Sequence, residues 1–168
     1  MNLAYLGGYG SAGLAVLRQD ASSGALQELQ RLQEPGEPSW LCASADGRLL
    51  YSANEGDSTL SVYERGPQGR LQRLQQVASG GQGPVHISLQ GAWAIVAHYG
   101  SGGLACWRLD GQGLLAGPPR IVGTALAPGP SHAHMAGCDP GQGYLLASDL
   151  AQDVLLSWRF EPGLGPAG

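Results

Sequence analysis

The chain has 168 residues and a formal net charge of −4, enough length for one domain with a core of its own. All nine cations are arginine, which excludes a lysine Schiff base or lysine nucleophile in this chain, and no basic patch points to nucleic acid. Cys42, Cys106 and Cys138 are far apart and form no CxxC pair, so neither a zinc ribbon nor a redox motif is indicated; they read as small, reduced core residues. No apolar stretch approaches the roughly 20 residues of a membrane span, and Met1 to Gly10 carries no basic, apolar leader. The expected location is the cytoplasm, with no membrane partner.

The chain opens with two short strand patterns, Leu3–Gly10 and Gly13–Arg18, followed by Ala25–Gln33. In the last of these, Leu26, Leu29 and Leu32 fall three apart, as on one turn of a helix. The same pattern then returns. Pro38–Gly47 reads as a strand and turn, Arg48–Glu55 and Thr59–Glu64 as a hairpin, and Gly69–Val77 as an outer strand. A third copy runs through Pro84–Gly91, Ala92–Tyr99 and Gly103–Arg108, and a fourth through His134–Gly143, Gly143–Leu150 and Val154–Arg159. The spacing of roughly 45 to 50 residues is that of propeller blades, each of four strands. Because Ala25–Gln33 stands where the later copies place an outer strand, it too is predicted to be a strand.

The predicted fold is therefore all-β, a partial β-propeller of about three and a half blades and about fourteen strands in a single domain, residues 1–168. Residues 3–34 supply the last three strands of a split blade. Residues 37–80 and 83–124 are two full blades, and 131–168 an incomplete one that ends after its third strand, near Phe160. The edges at Leu3–Tyr9 and Val154–Phe160 lack partners in this reading, which makes self-association through open edges an expectation.

Several motifs fall in an order that carries a resemblance. They are Tyr5-Leu-Gly-Gly-Tyr, Pro38-Ser-Trp-Leu, Asp46-Gly-Arg-Leu-Leu-Tyr-Ser-Ala-Asn-Glu, Gly83-Pro-Val-His-Ile-Ser, Ser131-His-Ala-His and Ala147-Ser-Asp-Leu. Together they resemble the amino-terminal half of the seven-bladed propeller lactonases, the 6-phosphogluconolactonase-like family. The resemblance implies a lactone hydrolase, with hydrolysis of 6-phosphogluconolactone in the pentose phosphate pathway as the leading activity. A carboxymuconate-type cycloisomerase or a non-catalytic binding platform are the alternatives. The implied partner is a small lactone or sugar phosphate, and no cofactor is implied. Three departures stand out: Ser131 replaces the proline usual before His-Ala-His, His98 replaces a usual asparagine, and Gly123–Pro130 lacks the family's polar and basic residues.

Equivalent positions of successive blades ring one pocket. Trp40, His86 and His134 open successive inner strands and are roughly equivalent. Glu55, Tyr99 and Leu150 end the following strands, with Asn54, His98 and Asp149 beside them. Adding water to an ester carbonyl needs a base and oxyanion donors, and imidazole suits proton transfer near neutrality. The resemblance places His134 in that catalytic role, with His86, Glu55, His132, Trp40, His98 and Asp149 as candidate substrate-binding residues. Asp149 and Asn54 also read as turn caps. His86, His132 and His134 have no carboxylate beside them to complete a metal set, so no metal is expected. The family's catalytic arginine and glutamate match nothing in these residues, so the 168 residues alone are expected to turn over little or no substrate.

Overall fold

The computed structural model describes residues 2–10, 13–33, 36–124, 126, 128–161, 163 and 165–166. Within them lie four antiparallel sheets. The first is three-stranded, β1 (Asn2–Leu6), β2 (Leu14–Gln19) and β3 (Leu26–Leu32). The second runs β4 (Pro38–Ala43), β5 (Leu49–Asn54), β6 (Thr59–Arg65) and β7 (Leu71–Ala78). The third runs β8 (Pro84–Gln90), β9 (Trp93–His98), β10 (Leu104–Leu109) and β11 (Leu115–Val122). The fourth runs β12 (Ala133–Cys138), β13 (Tyr144–Asp149), β14 (Val154–Glu161) and a short β15 (Gly165–Pro166). The leucines of Leu26–Leu32 lie on a strand, because pairing with β2 overrides their helix-like spacing. The fourth sheet also continues past Phe160, where the sequence reading ended it: Phe160 pairs with Pro166 and Glu161 with Gly165. Among the described residues no helix is long and apolar enough to cross a membrane.

Sequence order within each sheet is spatial order, as in propeller blades. The inner strands β4, β8 and β12 touch in succession, so the blades turn about a common axis. Burial follows from that stacking. β5 and β9 are buried at every residue, because each is covered on both faces by a neighbouring sheet. Their homologues β1 and β13 are buried at alternate positions at most.

Three apolar clusters fill the three gaps between sheets. Leu14, Val16, Leu50, Tyr63 and Leu71 join the first and second. Leu49, Tyr51, Val62, Ile87, Val96 and Trp107 join the second and third. Ile95, Leu104, Val122, Ala136, Leu145 and Phe160 join the third and fourth. Alternate residues of one strand thus serve different gaps, Leu49 and Tyr51 facing one neighbour and Leu50 the other, as a two-residue period requires.

Repeated polar clamps fix the rotation of one blade on the next. The Gln30 side chain donates to Leu71 O at 2.9 Å and accepts from Leu71 N at 2.8 Å. Gln75 does the same to Leu115, both bonds at 2.9 Å. Tyr5 OH donates to Gly69 O (2.9 Å) and Tyr51 OH to Gly113 O (2.6 Å). At the other end of the strands, Gly7 lets the first blade close on the second: a Cβ there would sit 2.0 Å from Pro38 O.

Candidate functional site

The mouth of each blade is closed in the same way. Glu55 N donates to Glu37 O, Tyr99 N to Gly83 O and Leu150 N to His132 O, at 2.8, 2.8 and 2.9 Å. Just inside each closure the inner strand carries a β-bulge, between Pro38 and Trp40, Pro84 and His86, and Ala133 and Met135. The bulge corrects the sequence alignment of the inner ring. Trp40, His86 and Met135 pair with Ala53, Ala97 and Ser148 and are the true equivalents. His134 is instead the extra residue of its bulge, in the place of Ser39 and Val85. A bulge re-aims a side chain and twists the strand locally, and His134 is exposed at the mouth.

Tyr99, which sequence reasoning set in the rim series without assigning it to the site, organises the histidines. Its ring stacks on His132 at 4.2 Å and 6° and meets His134 edge-on at 6.1 Å and 83°. The His132 Nδ1–H donates to Tyr99 O at 2.6 Å, which holds its ring in the stack. The signal for Tyr99 was its position, the repeat place of Glu55 and Leu150.

His86 lies under this rim, 4% exposed. Its ring meets the Trp40 ring at 4.5 Å, tilted 46°, and the Trp40 Nε1–H donates to Ile87 O at 3.1 Å. Burial, with His134 nearby as a lesser cause, pulls the His86 pKa down to about 4.

Glu55 stands apart from the histidines in its bonding. It accepts from Tyr9 OH at 2.9 Å, a contact that raises the tyrosine's pKa, while Glu37 accepts from Gly10 N at 3.0 Å. Tyr9 was not assigned to the site in the sequence, since it meets Glu55 only when the first blade docks, whereas Glu37 belongs to Glu55's own blade.

Asn54, His98 and Asp149 hold one repeat position and brace the blades from inside, each 0–1% exposed. Asn54 accepts from Ser52 Oγ (2.8 Å) and donates to Thr59 Oγ1 (3.0 Å) and Ser61 Oγ (2.9 Å). His98 Nε2 bonds to Ser79 Oγ at 3.0 Å; since that hydroxyl donates to Gly81 O, the imidazole is the donor. Asp149 accepts from Ser131 Oγ, Thr124 Oγ1, and the N–H groups of His132, Ala151 and Gln152. Burial alone would raise its pKa, but the bonds from Ser131, His132, Thr124 and Gln152 outweigh burial and hold it below the usual carboxylate value. Ser131, where the resemblance expects proline, therefore has a job that proline could not do.

Burial lowers the His98 pKa to about 4 as well. Between about pH 6.5 and 4 the unfolded chain binds protons at residues 86 and 98 that the folded chain refuses. Stability is therefore intact above pH 6.5 and falls with pH toward 4, by about 1.4 kcal/mol per pH unit for each ring. Urea midpoints taken from pH 7 to 4 are expected to show this loss, with a shallower dependence in His98→Gln.

A cavity of about 450 Å³ lies beside His134, lined also by Ser148, Leu150, Val154 and Leu155. A second, of about 530 Å³, sits at the opposite end of the strands, among Asp46, Arg48, Asp110 and Gln112. No group of three His, Cys, Asp or Glu among the described residues is placed to hold a metal ion.

One three-stranded and three four-stranded antiparallel sheets stacked about a common axis are the blades of a β-propeller. The family model described as lactonase, seven-bladed beta-propeller matches residues 3–165, and the chain belongs to that family. It is 26% identical to the 6-phosphogluconolactonase of Bacillus subtilis, over 96% of this chain and 50% of that protein. It is 30% identical to the 6-phosphogluconolactonase of Xenorhabdus nematophila, over 77% of this chain and 38% of that protein. Among solved structures, the periplasmic gluconolactonase of Pseudomonas aeruginosa superposes with a TM-score of 0.83 at 26% identity, over 95% of this chain and 50% of that one. The chain spans about half the length of the curated relatives it matches.

Proposed function

We propose that the chain serves lactone hydrolysis, with 6-phosphogluconolactone as substrate, and that His134 carries the proton. The observation that carries this reading is the placement of His134: exposed on the β12 bulge, edge-on to Tyr99 and close to His86. Membership of the family and the names of its relatives support the same chemistry. In it, the His134 ring accepts a proton from water as the water oxygen attacks the lactone carbonyl. It returns that proton to the ring oxygen as the C–O bond breaks, a dual role that contributes roughly 10²–10⁴-fold in such reactions. His132 and Tyr99 hold the ring in place, and Trp40 forms an apolar wall. His98 and Asp149 support the mouth through their bonds rather than by touching substrate. Glu55, bound to Tyr9, lies on the rim. The same reading places the chain in the cytoplasm, supported by three unpaired cysteines, Cys42, Cys106 and Cys138.

The test pairs a rate with a spectrum. Acid release from 6-phosphogluconolactone is followed at pH 7 with and without the chain, and the imidazole NMR signals are recorded as 6-phosphogluconate is added. A perturbed His134 ring is the expected result, with turnover small because no arginine and glutamate matching the family's pair are present. An unmoved His134 together with lactone decay at its spontaneous rate overturns the proposal.

A further inference from the structure

We propose that His86 is the hydrogen-bond donor to the lactone carbonyl oxygen, locked by the fold into its Nε2–H form; this rests on the lactone reading above. The lock is a backbone group of the neighbouring blade. Ala136 N donates to His86 Nδ1 at 3.4 Å, and an N–H cannot face a protonated nitrogen. The one proton of the neutral ring therefore sits on Nε2. The ring cannot swing away, because it is 4% exposed and packed against the Trp40 indole, itself tied to Ile87 O.

Nε2 has no protein hydrogen-bond partner among the described residues, yet it is not among the side-chain polar atoms buried without one. That edge of the ring thus reaches solvent while the rest is enclosed. The register makes the direction meaningful. Trp40, His86 and Met135 are the same inner-strand position in three successive blades, and His134 precedes Met135 directly. A neutral donor and a proton-carrying imidazole therefore come from adjacent inner strands.

Depression of the His86 pKa to about 4 keeps the ring neutral at physiological pH. A neutral imidazole N–H can polarise a carbonyl without becoming a competing acid. The roles divide cleanly. Water oxygen bonds to the carbonyl carbon, the π pair moves onto the carbonyl oxygen, and His86 Nε2–H holds that oxyanion while His134 takes the water proton. The carbonyl then re-forms, the ring C–O bond breaks, and the alkoxide takes the proton back from His134. Lactone and water give the hydroxy acid, and His86 neither gains nor loses a proton.

The experiment uses chain labelled with ¹⁵N in its histidine rings. Long-range ¹H–¹⁵N spectra at pH 7 are expected to show His86 as a single neutral Nε2–H form, with Nε2 shifting as 6-phosphogluconate is added. His86→Gln, which can place an amide donor in the same region, is expected to retain most of the affinity for 6-phosphogluconate. His86→Leu is expected to lose about tenfold, the worth of one hydrogen bond. An Nδ1–H form, or a His86 that stays unmoved while His134 shifts, overturns the inference and leaves the lactone reading standing. If neither histidine moves, the lactone reading falls and takes the inference with it.

Discussion

Replacing Asp149 with alanine is expected to lower the unfolding free energy by about 3–5 kcal/mol, a large share of the stability of any single domain. Asp149 is 1% exposed and accepts from two hydroxyls and three backbone N–H groups. Truncation removes the shared acceptor of all five donors, leaving the Thr124 and Ser131 hydroxyls only each other among them. Those donors span the segment before β12, the mouth of the fourth blade and the turn into β14, so the loss falls on the element that carries His134. Asp149→Asn keeps one acceptor oxygen but turns an NH₂ group toward Ser131 or Thr124, and is expected to cost less than alanine. Urea unfolding followed by tryptophan fluorescence measures both. Equal stability of wild type and Asp149→Ala would show that the network adds nothing. Because the folded-state pKa is depressed, this contribution is present above about pH 3.9 and disappears as pH falls through the folded value.

The second large effect is expected from Trp107→Ala, again about 3–5 kcal/mol. Trp107 is 6% exposed and packs in the cluster that joins the second and third blades. Its Nε1–H donates to Ser79 O at 3.2 Å, so truncation opens a cavity and also leaves a buried carbonyl unpaired. The consequence reaches the mouth, since Ser79 Oγ is the partner of His98. Trp107→Phe fills much of the volume but cannot make the bond, and is expected to fall between wild type and alanine. A urea midpoint that drops at unchanged slope identifies lost stability rather than a changed unfolded state. A midpoint within error of wild type would sink the packing argument.

The blades were legible because each needs the same short strands between turns of the same chemistry. Leu49–Asn54 and Trp93–His98 share no polar pattern, yet both precede a turn and a second strand at the same spacing. The tyrosines Tyr5 and Tyr51, which the sequence did not pair, proved to be one device used twice, each hydroxyl bound to a glycine carbonyl of the next blade. Asp20, Asp46, Asp110 and Asp139 each accept from backbone N–H groups within their own turns, the local chemistry that punctuates the repeat.

The site was only partly legible, and the reason is the bulge. An alignment of inner strands counts residues, whereas a bulge sets two residues opposite one. Trp40 and His86 therefore align with Met135, and His134 takes a direction that no residue count predicts. The other gaps are long-range pairings. Tyr9 reaches Glu55 across 46 residues, and His132 reaches Tyr99 across 33. Neither partner carries a local mark of the other.

Taken by itself, the amino-acid sequence determined the architecture, because hydrophobic period, turn residues and repeat length are local properties that add up along the chain. It also determined which strand ends carry the polar groups. Only the tertiary structure decided what those groups do. His98, Asn54 and Asp149 became internal braces because neighbouring blades bury them beside hydroxyls and backbone N–H groups. His86 became a buried ring with one open edge because Ala136 of the next blade meets its Nδ1. Burial and hydrogen-bond partners at these positions are set by which blade lies alongside, and that is settled only when the sheets stack.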